Sequence, residues 1–149
     1  MTSEIRAARR WLIAAGILSL AAAALHVACI FGGADWYLFF GAGARMAREA
    51  QAGSAIPAII TSAIAAILAI WAAYAFSGAG LIRRLPLLRT GLVAISAIYL
   101  ARGLVLVPML ALTRFPPSPF LIWSSLIVLV YGLAYAVGTW KAWPSLRTS

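Results

Sequence analysis

Four long apolar stretches dominate this chain of 149 residues. They cover approximately residues 11–31, 56–76, 87–112 and 120–143. Each is close to the ~20 residues with which an α-helix crosses the ~30 Å hydrocarbon core of a bilayer. Lipid offers no partner to backbone N–H and C=O groups, so apolar spans of this length are helical. The sequence therefore predicts an all-α integral membrane protein, a single membrane domain over residues 1–149 with four transmembrane helices.

The composition supports the membrane class and removes several others. Only 10% of the residues are charged, against about 25% in a soluble domain. The net charge of +9 comes from basic residues between the apolar stretches, a placement that orients membrane helices and does not indicate a nucleic-acid partner. A single cysteine cannot form an intrachain disulfide, and one histidine with three separate acidic residues, Glu4, Asp35 and Glu49, does not indicate a classical zinc site or a two-carboxylate glycosidase site. We therefore expect no metal.

The distribution of the basic residues predicts the orientation. With four spans, both termini lie on one side, together with eight basic residues: Arg6, Arg9, Arg10, Arg83, Arg84, Arg89, Lys141 and Arg147. The other side holds three: Arg45, Arg48 and Arg114. Because basic residues are enriched in cytoplasmic loops, both termini are predicted to be cytoplasmic. The small size and the Ala- and Arg-rich composition favour a bacterial inner membrane, whose anionic lipids the basic loop 83–89 would attract.

The N-terminal stretch resembles a signal peptide, because three arginines precede its apolar run. His26-Val27-Ala28-Cys29 approaches a lipoprotein cleavage site, but a histidine stands where an aliphatic residue is expected. We expect this stretch to remain in place as the first membrane helix.

The segment between the first two spans, about residues 34–52, has an amphipathic and interfacial composition. Gly32-Gly33 is expected to end the first helix, and Asp35 then precedes the ring-rich run Trp36–Phe40, which suits the membrane–water boundary. A short surface helix is predicted over Ala44–Ala52. Its charged residues are Arg45, Arg48 and Glu49.

The third span contains a charge, Arg102. An arginine at the centre of a membrane helix costs about 2.5–3.5 kcal/mol, so it is rarely there without a partner or a task. At about 1.5 Å per residue, Arg102 lies roughly 18 Å beyond Thr90, and His26 lies roughly 24 Å beyond Arg10. Both residues are thus predicted in the outer half of the membrane. Pro108 offers no N–H to the carbonyl of the residue four earlier, so we expect a kink one turn after the arginine.

Several polar side chains are predicted at the depth of Arg102. They are His26, Tyr99, Thr61, Ser62, Ser124 and Ser125. If the first and third spans are neighbours, these residues line a pocket near the outer leaflet, and the segment from Asp35 to Glu49 forms its lid. Arg102 suits a bidentate grip on a carboxylate or a phosphate, and His26 can donate a hydrogen bond or shuttle a proton. The candidate binding residues are Arg102, Tyr99, His26, Asp35, Glu49 and Arg45.

Three functions remain open. The first is a binding or transport-related protein that holds an anionic or amphipathic small molecule, or a lipid, at Arg102. The second is an integral membrane enzyme in which His26 is the catalytic acid or base and Arg102 stabilises negative charge. The third is a structural or assembly subunit whose polar residues lock the helix packing. In it, Arg102 pairs with Asp35 or Glu49, or donates to carbonyls that the kink at Pro108 leaves without a partner. Small-residue runs such as Ala21–Ala24 favour close helix packing and are consistent with a homo-oligomer. The sequence identifies no cofactor.

Overall fold

The protein is all-helical. A computed structural model describes residues 3–112 and 117–147. The helices in these ranges are α1 (Ser3–Phe39), α2 (Ala44–Gln51), α3 (Ile56–Gly78), α4 (Leu88–Leu104), α5 (Leu106–Leu112) and α6 (Pro119–Ala142), followed by a 3-10 turn at Ser145–Arg147. Residues 113–116, which include Arg114 and lie between the third and fourth predicted spans, fall outside the described residues.

Four helical stretches of the described chain are long and apolar enough to cross a membrane. They are α1, α3, α4 with α5, and α6. Only 22–28% of the most apolar window of each is buried. Large apolar side chains point outward instead: Ile59, Val107 and Trp123 are 65%, 62% and 66% exposed. Apolar surface of this extent is stable against lipid and not against water. The chain is therefore a multi-pass membrane protein.

The helix α1 is longer than the predicted first span. It extends over Ser3–Phe39, with a kink at Gly33, whose φ of 66° and ψ of −150° are not helical. The prediction of a break at the glycine pair is correct, but the helix resumes at once. A glycine without a Cβ reaches positive φ at little cost, so one residue is enough to redirect the chain.

The other predicted helix boundaries agree with the structure. The helix α2 ends at Gln51, shortly before Gly53, whose φ is +76°. Pro57 lies in the first turn of α3, where a missing N–H leaves no bond unmade. The third span is broken at Val105, between α4 and α5. The interruption agrees with the missing N–H of Pro108, which cannot donate to the carbonyl of Leu104. Val105 keeps a helical φ of −56° and ψ of −25°, so the kink itself stays a prediction.

By its contacts, the chain divides into two compact units, and each is described by itself. The first unit contains residues 1–19 and 71–149, and the second contains residues 20–70.

In the first unit, α4 and α6 pack closely because glycines face backbone. A Cβ at Gly103 would lie 2.7 Å from Leu129 Cα, and a Cβ at Gly132 would lie 2.9 Å from the backbone nitrogen of Leu100. Leu12 of α1 is fully buried and packs against Gly138, where an added Cβ would lie 2.9 Å from Leu12 Cγ. The glycines of α4 and α6 thus allow the neighbouring helices to approach closely.

In the second unit, α2 packs on the C-terminal part of α1. Tyr37, Cys29 and Ala47 are buried together, and Phe40 and Met46 complete this small apolar cluster. Cys29 is a free thiol inside the cluster.

Candidate functional site

The helix α4 places Arg102 three residues before the break at Val105 in the third span. Arg102 Nη1 donates to Ser125 Oγ at 3.0 Å, and Nη2 donates to Ser124 Oγ at 3.3 Å. Ser124 in turn donates to the carbonyl of Leu121 at 3.3 Å, so its oxygen is free to accept from the arginine. The close contact of α4 with α6 at Gly103 brings these three side chains together. The guanidinium is therefore held in one orientation by two neutral hydroxyls.

The charge of Arg102 is not neutralised within its unit. The acidic residues of the chain are Glu4, Asp35 and Glu49, and Glu4 alone belongs to the first unit. Glu4 Oε2 is 2.9 Å from Lys141 Nζ and is committed there. Arg102 itself is an exposed residue, beside apolar side chains such as Ile98 and Leu104. The site thus presents an oriented, accessible cation within an apolar span.

Tyr99 lies one turn before Arg102, but its hydroxyl belongs to a buried cluster. Tyr99 Oη and Tyr135 Oη are each 2.9 Å from Ser19 Oγ, and Tyr135 also donates to the carbonyl of Trp71 at 2.9 Å. Each hydroxyl has one proton to donate. Because Tyr135 donates its proton to the carbonyl of Trp71, the direction of the other two hydrogen bonds is fixed. Ser19 donates to Tyr135, and Tyr99 donates to Ser19.

Aromatic rings surround this hydroxyl chain. The ring of Tyr99 lies 4.9 Å from that of Trp71, 5.5 Å from that of Tyr135 and 5.6 Å from that of Tyr131, measured between centroids. Ser19 and Tyr135 have no exposed surface. Ser19, Tyr131 and Tyr135 are not among the candidate residues predicted from the sequence. The spacing of the two tyrosines, four residues apart on one helix face, was a readable signal, whereas a serine among alanines and leucines was not.

The remaining candidate residues belong to the second unit. His26 Nδ1 is 2.7 Å from the carbonyl oxygen of Ala22. A carbonyl only accepts, so in the neutral imidazole Nδ1 carries the proton and Nε2 is an acceptor. Arg45 and Glu49 approach to 3.9 Å on one face of α2, and Asp35 is exposed. The catalytic role of His26 and the lid formed by Asp35–Glu49 stay predictions.

The described residues contain no group of three His, Cys, Asp or Glu side chains that would hold a metal ion. The groups capable of chemistry are the Arg102 guanidinium with its serine hydroxyls, the Nε2 atom of His26, and the hydrogen-bonded hydroxyls around Ser19.

Fold and site together define a class, the multi-pass helical membrane proteins with an arginine inside a span. Comparison with protein-family models, with curated proteins and with solved structures finds no match for the chain. Its function is therefore inferred from the chemistry of its own residues.

Proposed function

We propose that the protein binds an anionic amphipathic molecule or lipid at Arg102, in the outer half of a bacterial inner membrane. The observation that carries the proposal is an arginine in an apolar span that two serines orient and that no carboxylate of its unit neutralises. Serine hydroxyls satisfy hydrogen bonds but leave the positive charge in place. A charge at this depth is stabilised by a counter-charge, and an anionic ligand supplies one.

The geometry of the guanidinium favours a carboxylate or a phosphate. Arginine has five N–H donors, and the two bonds to Ser124 and Ser125 use one on each terminal nitrogen. The remaining donors form the planar fork that matches two oxygens of one anionic group. The exposed apolar side chains beside Arg102 suit an acyl chain or another apolar tail. An amphipath, with its anionic end at Arg102, fits both features.

The proposal includes the orientation and the assembly that the sequence predicts. The eight-to-three excess of basic residues favours cytoplasmic termini. A transport-related role and a homo-oligomer are consistent with a small four-span chain whose helices pack through glycines.

Native mass spectrometry of protein extracted gently from its own membrane tests this function. We expect an anionic adduct on the wild type, retained in the control Arg10→Gln, which loses the same charge at the end of a span. Arg102→Gln is expected to weaken the adduct about tenfold or more, because a hydrogen bond to a charged group contributes about 1.5–3 kcal/mol. Arg102→Lys keeps the charge but loses the fork, so we expect intermediate binding.

Two results would contradict the proposal. One is a wild-type spectrum without any adduct, and the other is an Arg102→Gln protein that binds as many anionic molecules per chain as the wild type. If Arg102→Gln instead fails to fold while Ser125→Ala folds, the arginine has a structural role, and the assembly-subunit hypothesis gains support.

A further inference from the structure

A second candidate site lies at the opposite end of the first unit, where residues 4–9, the loop 79–87 and residues 141–146 meet. A cleft of about 760 Å³ opens there between the start of α1, the end of α3 and the end of α6. Its volume falls within the roughly 300–1,000 Å³ of small-molecule sites. Leu88 of this cleft precedes Arg102 by fourteen residues on α4, about 21 Å at 1.5 Å per residue. The two sites are therefore separate.

The cleft combines a basic rim with an apolar wall. The charged residues that line it are Arg9, Arg84, Lys141 and Glu4, three positive and one negative, a balance of +2. The apolar lining includes Ala8, Leu88 and Leu146, all buried. Glu4 already pairs with Lys141 at 2.9 Å.

Hydrogen bonds from the fold hold the basic rim in place. Arg84 Nη2 donates to the carbonyl of Leu146 at 2.6 Å, which holds the guanidinium against the C-terminal turn. The loop that carries Arg84 is fixed by Ser77, which donates to the carbonyl of Arg83 at 3.1 Å and accepts from the N–H of Leu85 at 3.0 Å. Arg89 is engaged elsewhere, with its guanidinium carbon 3.9 Å from the ring centre of Trp143. Hydrogen bonds thus fix Arg84 and its loop in place, so the cleft is not a loose group of surface charges.

We infer that this cleft binds the headgroup phosphate of an anionic membrane lipid. Arg9, an exposed residue, supplies charge-assisted hydrogen bonds to phosphate oxygens, and the positive charge of Arg84 adds to the attraction. Ile5, which also lines the cleft and is 46% exposed, contacts the first part of the acyl chains. The cleft lies where apolar spans give way to charged residues, which is the level of lipid headgroups. The positive balance disfavours a headgroup with its own cation.

The test compares adducts of anionic phosphatidylglycerol and zwitterionic phosphatidylcholine, supplied in equal amounts to the protein in a nonionic detergent, by native mass spectrometry. We expect the wild type to prefer phosphatidylglycerol. Arg9→Gln should lower this preference by about fivefold, the equivalent of ~1 kcal/mol per basic residue at an anionic surface. Arg10→Gln is the matched control, since it removes the same charge from the adjacent residue, which does not line the cleft.

A gain of binding provides a second readout that misfolding cannot imitate. Glu4→Gln removes the carboxylate that neutralises Lys141, so we expect the preference for phosphatidylglycerol to rise by up to about fivefold. Arg84→Lys, which keeps the charge, should retain more binding than Arg84→Gln.

Four results would overturn the inference. Equal losses in Arg9→Gln and Arg10→Gln would indicate diffuse surface attraction. An unchanged or lower preference in Glu4→Gln would contradict the role of the rim. Displacement of the lipid by millimolar inorganic phosphate would identify a free-anion site. Loss of the preference in Arg102→Gln but not in Arg9→Gln would place the lipid at Arg102 and leave the proposed function standing without this second site.

Discussion

At the scale of the residue, Ser19 connects the parts of α1, α3, α4 and α6 that lie in the first unit. Tyr99 of α4 donates to it, and it donates to Tyr135 of α6, which donates to the carbonyl of Trp71 in α3. Ser19 itself belongs to α1 and is fully buried. Each hydroxyl proton in this series of hydrogen bonds has an acceptor. Removal of Ser19 Oγ leaves the hydroxyl of Tyr99 without an acceptor.

We therefore predict that Ser19→Ala destabilises the protein more than Ser96→Ala does. Both serines are buried, but Ser96 donates at 2.7 Å to Leu92 of its own helix, a carbonyl that keeps its helical partner. Side-chain hydrogen bonds in membrane proteins average about 0.6 kcal/mol, and a stranded buried donor costs about 1–3 kcal/mol in proteins generally. An expected difference of about 1 kcal/mol is measurable by denaturant unfolding in detergent. Equal losses in the two variants would show that the chain contributes nothing beyond packing.

At the scale of the element, the α4–α6 pair determines the geometry of the Arg102 site. We predict that Gly103→Ala destabilises the pair by about 1–3 kcal/mol, because the new Cβ would lie 2.7 Å from the backbone of Leu129 and the helices must separate. The same substitution at Gly91 of α4 is the control, since the atoms nearest to its new Cβ belong to the ring of Tyr74 and not to backbone. A shift of that side chain, at the cost of its exposed hydrogen bond to the carbonyl of Pro86, relieves the clash without separating α4 from α6. Both variants gain the helix propensity of alanine, so the difference between their unfolding free energies reports packing.

The Gly103→Ala variant also tests whether the packing of α4 on α6 is needed for ligand binding. Separation of α4 from α6 would draw Arg102 away from Ser125, so Gly103→Ala should also weaken the anionic adduct, whereas Gly91→Ala should leave it intact. An adduct of full strength on a destabilised Gly103→Ala protein would mean that the serines do not orient the guanidinium for binding.

Elements were predictable from the sequence where a local rule determines them. The break near Pro108, the first turn at Pro57 and the kink at Gly33 follow from a missing N–H or a missing Cβ. The contact of Arg102 with Ser124 and Ser125 is consistent with an estimate from helix rise, because both serines were placed at its depth. The depth of a residue in the membrane does not specify the direction of its side chain, however. Tyr99 was placed beside Arg102 by spacing, yet its hydroxyl bonds to Ser19, a partner 80 positions away that only the packing of the helices reveals.

At the scale of the whole molecule, the apolar stretches determine the class, and the basic residues are expected to determine the orientation. Membrane helices are recognisable one by one from hydropathy, because each must satisfy its own backbone. The extension of α1 back to Ser3 is different, since those additional turns carry Arg6, Arg9 and Arg10 beyond the apolar run. Cytoplasmic termini and a single domain stay predictions that rest on the sequence.

The orientation leads to a prediction that fusion proteins in a bacterial host can check. The excess of basic residues on the side of the termini predicts that a green fluorescent protein fused after Ser149 fluoresces, because it folds in the cytoplasm. Alkaline phosphatase at the same position should be inactive, and it should be active when fused after Gly53, on the opposite side. Replacement of Arg83, Arg84 and Arg89 by glutamine should weaken this asymmetry, leaving five basic residues against three. The reverse pattern, with an active phosphatase after Ser149, would place the basic cleft outside the cell and Arg102 in the inner half of the membrane.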